Sequence, residues 1–153
     1  GNGTQHAFYS DARVLYISTH QYPYYPGTGS LQEIGEGEGE GYTVNIPLST
    51  GNGDEGYANL FRHIILPIGR AYKPELILVS AGFDIHKGDP LGGMNVTEEG
   101  FARLAYLLLE LAKEVCEGRI VFTLEGGYNV EGEARAVVKI LHTLQGELPF
   151  DPE

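Results

Sequence analysis

The stretch LILVSAGFDIHKGDPLGG (residues 76–93) decides the fold of this 153-residue chain. It opens with an apolar run typical of a central strand buried on both faces, and continues directly into two aspartates, a histidine, a lysine and a Gly-Gly pair. Ligand sites of open α/β sheets lie beyond the carboxyl ends of such strands. We therefore expect either a metal site or a solvated turn at this point.

The segments on either side alternate between strand and helix patterns. Short β-branched or aromatic-rich runs predict strands at residues 13–18, 42–48, 76–80 and 120–124. Helical spacing of apolar residues predicts helices at residues 57–72 with a kink at Pro67, at 97–116 with Thr97 as the cap, and at 130–144, before an acidic tail. This alternation predicts an α/β fold, with a largely parallel sheet and helices on both faces.

Residues 19–41 contain too many glycines and prolines for a regular element. So long an irregular stretch is typical of either a site wall or a floppy insertion. Because parallel strands leave a sheet at the same edge, we expect the polar loops at residues 19–29, 81–93 and 125–129 to converge.

The composition excludes several classes of partner. A formal net charge of -11 argues against nucleic acid and anionic membranes, and favours a cationic substrate such as a histone tail. The single cysteine, Cys116, excludes an internal disulfide and a thiolate zinc site, and is expected to be a core residue. Because no apolar run reaches about 20 residues, we expect a cytoplasmic protein. The length of 153 residues predicts one domain.

Asp89 precedes Pro90 and a Gly-Gly pair, so its carboxylate lies on a tightly turned backbone. It is either a ligand for a divalent ion or a turn aspartate bonded to nearby amides. Asp84 and His86 have a D-x-H spacing that can place two ligands on one ion. A loop histidine beside a lysine is more typical of a solvated side chain, and we do not expect His86 to be a ligand.

Tyr128 follows two glycines in the turn after residues 120–124. Its hydroxyl is placed either to stabilise an oxyanion or to pack over the glycines. In the first loop, Tyr22, Tyr24 and Tyr25 form either a channel wall or an adhesive surface.

The sequence GNGDEG (residues 51–56) matches the dinucleotide-binding pattern G-x-G-x-x-G. Asp54 and Glu55 would lie where the pyrophosphate should bind, so we interpret the match as accidental. Measurable affinity for NAD would reverse that interpretation.

Together these segments resemble the zinc-dependent histone deacetylase superfamily, in particular the class II enzymes and their prokaryotic relatives. The resemblance follows the chain in order through GNGTQHAFYSD (1–11), VLYISTHQYPYYPGTG (14–29), GYTVNIPL (41–48), PELILVSAGFDIHKGDPLGG (74–93) and LEGGYN (124–129). It implies that Asp89 is a zinc ligand and that the Tyr128 hydroxyl polarises the acyl carbonyl.

The resemblance also implies roles for other residues. Tyr25 would line an acyl-lysine channel whose wall Gly126 and Gly127 shape, and Leu91 occupies a position where polyamine-preferring relatives have a carboxylate. An acyl-lysine substrate is therefore favoured over a small acylated amine. A structural monovalent cation such as potassium would be surrounded by Phe8, Asp11, Val14 and Tyr42, and a second one would be bound by Ser18 and Thr19.

The chain departs from the family at its start. In the family an Asp-x-His pair, which supplies the other two zinc ligands, directly precedes the segment matching GNGT, and the general-base histidines lie further upstream. We therefore expect residues 1–153 to be the C-terminal portion of a deacetylase domain, inactive alone, which pairs with a missing N-terminal half or with itself. The alternative is a non-enzymatic α/β module that self-associates or binds a partner chain.

Overall fold

The computed structural model describes residues 1–147, which form two compact units, Gly1–Thr50 and a second one that starts at Gly51. In the first unit, helix α1 (Asn2–Ala7) precedes strands β1 (Tyr16–Gln21) and β2 (Thr43–Leu48), which pair in parallel from Tyr16 opposite Thr43 to Gln21 opposite Leu48. The predicted acidic tail lies outside the described residues.

The first unit corrects two predictions. Strand β1 begins three residues later than predicted and continues to Gln21, inside the stretch expected to be irregular. Asp11 explains the later start, because its carboxylate accepts hydrogen bonds from the backbone N–H of Arg13 at 2.9 Å and from its guanidinium, which fixes a turn there. Helix α1 was not predicted, since its glycine-rich sequence indicates a turn.

The second unit contains four helices and one parallel strand pair among the described residues. Strand β3 pairs with β4 from Ile77 opposite Ile120 to Ala81 opposite Leu124, which confirms the predicted α/β class with parallel strands. The elements are α2 (Asp54–Leu60), a π-helical turn (Phe61–Ile65), α3 (Leu66–Tyr72), β3 (Ile77–Ala81), α4 (Glu98–Cys116), β4 (Ile120–Leu124) and α5 (Val130–Leu144).

The helical segment before β3 contains the predicted irregularity. Pro67 has no amide hydrogen, and directly before it the amide of Leu66 donates to the carbonyl five residues back, on Phe61. This wider turn rotates the residues that follow it. Ile64, one of the apolar residues whose spacing predicts this helix, lies within the wider turn and is exposed, whereas Phe61 and Leu66 are buried.

Helices α4 and α5 form where the sequence predicts them and pack on each other. The Thr97 side chain caps α4 by accepting from the amide of Gly100 at 3.1 Å. The helix ends at Glu117, which has a left-handed backbone with φ of 56°. Cys116 is buried as predicted. None of the helices within residues 1–147 is long and apolar enough to cross a membrane.

One face of the β3–β4 pair is open, which corrects the expectation that residues 76–80 are buried on both faces. Alternate residues point away from the helices: Leu78 is 69% exposed and Val121, on the neighbouring strand, is 50% exposed. An apolar strand is buried on both faces only when other elements pack against each of them. In this structure the helices cover one.

Asp54 joins the start of α2 to the start of α4. Its carboxylate accepts from the backbone N–H of Thr97 at 2.7 Å and from the Thr97 hydroxyl at 2.6 Å. Gly100 lies so close that a β-carbon there would overlap the carboxylate. Asp54, the fourth residue of the GNGDEG segment, therefore links two helices.

Asp54→Ala is expected to lower the free energy of unfolding by about 1–3 kcal/mol, because it leaves the Thr97 amide without its partner. Urea unfolding followed by circular dichroism measures the change. Glu55→Ala is the matched control, because it removes the same charge from the same helix turn but only an exposed pair with Arg103. Its expected effect is below about 1 kcal/mol, and equal losses in the two variants would contradict the assigned link.

Candidate functional site

Asp89 lies in the loop after β3, and three backbone amides hold its carboxylate. Oδ1 accepts from the amides of Leu91 and Gly92, both at 2.8 Å, and Oδ2 accepts from the amide of Tyr128 at 2.8 Å. The residue is 9% exposed. The carboxylate is therefore fixed in orientation, and Oδ2, which accepts one bond fewer than Oδ1, is the oxygen with lone-pair capacity left for a ligand.

Two opposing effects set the charge of Asp89. Burial raises the pKa of its carboxyl, but the backbone N–H groups of Gly92, Tyr128 and Leu91 favour the ionised form and together hold the pKa below its usual value. For Asp84 burial dominates and raises the pKa, and the nearby charge of Asp89 raises it further. Of the two carboxyl groups in this loop, that of Asp89 is therefore the one whose surroundings favour the ionised form.

The turn after β4 brings Tyr128 to the same edge of the strand pair. Gly126 and Gly127 have positive φ angles of 87° and 125°, and a β-carbon on Gly127 would lie 2.8 Å from the β-carbon of Phe83. The Gly126 carbonyl accepts from the amide of Phe83 at 3.0 Å. The two glycines thus let the turn approach the β3 loop closely, and the Tyr128 side chain remains 56% exposed beside it.

His86 is not solvated, which corrects the expectation for this residue. It is 3% exposed, and its Nδ1 accepts from the amide of Gly88 at 3.0 Å. The prediction that His86 is solvated rested on its position next to Lys87. Lys87 is exposed, but the His86 side chain turns inward onto Phe101 of α4. Its Nδ1 is occupied by the loop backbone, so that atom is not available to an ion.

In the first unit, Tyr25 lies in a loop that a histidine closes. The Nε2 atom of His20 lies 2.8 Å from the Gly29 carbonyl, and its Nδ1 lies 3.0 Å from the Ser18 hydroxyl. Since a carbonyl can only accept, Nε2 donates to Gly29. The Tyr25 side chain is 91% exposed and Leu91, in the second unit, is 56% exposed.

The residues implied in monovalent-cation binding all lie in the first unit. The carbonyls of Phe8, Asp11 and Tyr42 each accept a backbone hydrogen bond, from Asp11, Val14 and Tyr16 respectively. The Asp11 side chain is paired with Arg13, whose hydrogen bonds lower the pKa of Asp11 to about 2. Ser18 and Thr19 lie in β1. Their roles in ion binding stay predictions.

Side chains that could bind a metal are not clustered in the described part of the chain. Across residues 1–147, no group of three or more histidine, cysteine, aspartate or glutamate side chains is arranged to bind a metal. A catalytic zinc needs three protein ligands and an open position. A carboxylate such as that of Asp89 can be one of the three, and its role as a zinc ligand stays a prediction.

Sequence reasoning did not identify the residues that hold the site in place. Asn129 donates from Nδ2 to the Gly88 carbonyl at 3.0 Å, and its Oδ1 caps α5 by accepting from Gly132. The signal for Asn129 was available, because an asparagine directly before a predicted helix is a typical cap. No local pattern signals that its amide reaches a loop 41 residues away.

Known proteins resemble this chain along almost all of its length. A sequence profile described as the histone deacetylase domain matches residues 1–144. A protein named probable deacetylase from Archaeoglobus fulgidus is 52% identical over 132 residues, which cover 86% of this chain and 37% of that protein. Histone deacetylase 14, chloroplastic, from Arabidopsis thaliana is 48% identical over 147 residues, which cover 96% of this chain and 35% of that protein.

Two solved structures have the same fold. The crystal structure of the HDA15 HD domain superposes with a TM-score of 0.89 at 42% identity, covering 97% of this chain and 42% of that one. The histone deacetylase Clr3 superposes with a TM-score of 0.91 at 38% identity, covering 99% of this chain and 26% of that one. The chain spans about a third of the length of the two curated relatives described above. It belongs to the histone deacetylase family.

Proposed function

We propose that this chain is the C-terminal portion, residues 1–153, of a zinc-dependent amidohydrolase domain that removes acyl groups from acylated lysine. The carrying observation is the 2.8 Å hydrogen bond from the Tyr128 amide to Asp89 Oδ2, which places an ionised carboxylate and a phenol-bearing turn at one edge of the β3–β4 pair. Membership of the histone deacetylase family supports the reaction class.

In this proposal each residue has a separate task. Zinc, when bound, supplies a Lewis acid that polarises the acyl carbonyl. Asp89 is one of its ligands, kept ionised by three amides, and the Tyr128 hydroxyl donates a hydrogen bond to the carbonyl oxygen as negative charge develops there. The other two zinc ligands and the proton-transferring histidines come from residues outside this chain.

The substrate follows from shape and charge. Gly126 and Gly127 shape the wall of an acyl-lysine channel in the same turn that carries Tyr128. The part of Tyr25, which lies in the first unit, in binding the acyl-lysine chain stays a prediction. Leu91 presents an apolar side chain where a polyamine-specific enzyme needs a carboxylate, so acyl-lysine is the preferred substrate and small acylated amines are poorer ones. The net charge of -11 attracts the lysine-rich segments in which acyl-lysines occur.

The remaining predictions belong to the same proposal. Monovalent cations, potassium foremost, bind at the carbonyls and side chains of the first unit: Phe8, Asp11, Val14, Tyr42, Ser18 and Thr19. A cytoplasmic location is proposed from the single reduced cysteine, Cys116.

The chain alone is expected to show negligible zinc-supported hydrolysis of an acetyl-lysine peptide, because it supplies one zinc ligand. Refolded with the part of the Archaeoglobus fulgidus relative that it does not match, it is expected to release acetate. In that complex Tyr128→Phe is expected to lower kcat by about 10²- to 10³-fold, as for the loss of one oxyanion donor. A fluorogenic acetyl-lysine peptide measures the rate.

Tyr72→Phe is the matched control, since it removes a hydroxyl at the end of α3 and is expected to leave kcat unchanged. Substantial zinc-dependent turnover by the 153-residue chain alone would contradict the need for outside ligands. A Tyr128→Phe complex as active as wild type would contradict the role given to the phenol.

The open face of the β3–β4 pair is a candidate binding surface for a further part of the protein. Leu78 and Val121 lie side by side on it and are 69% and 50% exposed. Since the curated relatives are about three times as long, we propose that further residues of the deacetylase domain cover this face. The second candidate, a self-associating α/β module, would use the same face against another copy.

The double variant Leu78→Thr/Val121→Thr is expected to weaken association with the complementary part of the relative by about tenfold or more, because it removes apolar area from the contact. Threonine is β-branched and therefore suits a strand at both positions. Sedimentation velocity measures both this complex and the chain alone. Val138→Thr, which changes an exposed apolar residue of α5 instead, is the control. A stable homodimer that the double variant abolishes, without any binding to the complementary part, would favour the second candidate.

A further inference from the structure

His86 is enclosed between α4 and α5. Its ring lies nearly parallel to that of Phe101, with centroids 6.3 Å apart and planes inclined by 17°. On the α5 side, a β-carbon at Gly132 would come within 2.8 Å of the ring carbon Cε1. Only a glycine at position 132 leaves room for the imidazole ring in this orientation.

The polar contacts of the ring fix its orientation as well. The Gly88 amide can only donate, so Nδ1 accepts and the proton of the neutral ring is on Nε2. Nε2 faces Oε1 of Glu98 at 3.4 Å and, within the described part of the chain, has no well-formed hydrogen bond. Glu98 is itself held by the guanidinium of Arg135, which donates to it at 2.8 Å. A carboxylate therefore faces the N–H edge of the ring and the loop backbone faces its acceptor edge.

The residue directly before Asp89 is thus held from two sides. The Gly88 N–H donates to His86 Nδ1 at 3.0 Å, and the Gly88 carbonyl accepts from Asn129 Nδ2 at 3.0 Å. His86 also uses its own carbonyl, which accepts the amide of Asp89 at 2.9 Å. Of the two anchoring side chains, that of Asn129 lies at the start of α5, and that of His86 packs between Phe101 of α4 and Gly132 of α5.

We infer that His86 is a positioning residue for Asp89. It touches neither substrate nor metal; by accepting from Gly88 it sets where the backbone of residues 88–92 begins, and so keeps Asp89 Oδ2 within reach of the Tyr128 amide. The inference rests on the proposed function, in which Asp89 is the zinc ligand.

The test uses two variants that differ in the acceptor. His86→Asn keeps an oxygen close to the position of Nδ1, whereas His86→Leu fills the space without any acceptor. Hydrogen exchange of the Gly88 and Tyr128 amides is followed by NMR in the 153-residue chain without metal. We expect His86→Leu to speed both exchanges by about tenfold, and His86→Asn to restore them to within about threefold of wild type.

Phe101→Leu is the control for packing alone. It loosens the contact with the ring but keeps both polar contacts of Gly88, so it is expected to lower the unfolding midpoint without singling out the Tyr128 amide. Should His86→Leu not fold, His86→Phe keeps a ring against Phe101 and removes the acceptor, with the same expectation.

Equal exchange of the Tyr128 amide in the acceptor-containing and acceptor-free variants overturns the inference, as does an effect no larger than that of Phe101→Leu. Since neither metal nor substrate is present, this result is independent of whether the reconstituted complex hydrolyses acetyl-lysine. Failure of the positioning role and failure of the proposed function are therefore read from separate measurements.

Discussion

The second unit of the chain depends on one contact between two loops: the Tyr128 amide donates to Asp89 Oδ2. Parallel pairing of β3 and β4 sends both loops out at the same edge, where hydrogen bonds from Phe83 to Gly126 and from Asn129 to Gly88 also join them. Asp89 joins them, because its other oxygen is already held by the amides that follow it in its own loop. A buried carboxylate with this many donors is stabilised in its ionised form. The same backbone amides therefore connect the two loops and favour the negative charge of Asp89.

The same contact explains why so many residues around it are constrained. Gly127 must lack a β-carbon to approach Phe83, and Gly132 must lack one to admit the ring of His86. Asn129 serves two elements at once, since it caps α5 and binds the carbonyl of Gly88. These residues carry out no chemistry themselves. They fix the distance between the Asp89 carboxylate and the backbone of Tyr128, which the proposed metal-assisted amide hydrolysis requires of its scaffold.

Strong periodic patterns predicted the fold well, and long-range contacts set the limits. Helix α5 forms at the predicted residues because an apolar stripe and an asparagine cap agree there. The buried position of His86 was missed, because it depends on a glycine 46 residues later in the chain. The exposure of Leu78 was missed for a related reason: an apolar strand does not say what covers its second face. Asp89 and Tyr128 were predicted to meet from strand order alone, and the backbone amide that joins them is not visible in the sequence.

The central claim is that Asp89 connects the two loops, and amide NMR of Asp89→Ala in the 153-residue chain tests it most directly. The account predicts that the amides of Leu91, Gly92 and Tyr128 lose their hydrogen-bonded shifts and their exchange protection together, while helix amides such as that of Leu107 keep theirs. If the amides of Leu91 and Gly92 change and that of Tyr128 does not, the two loops are held together by something else, and the account is wrong.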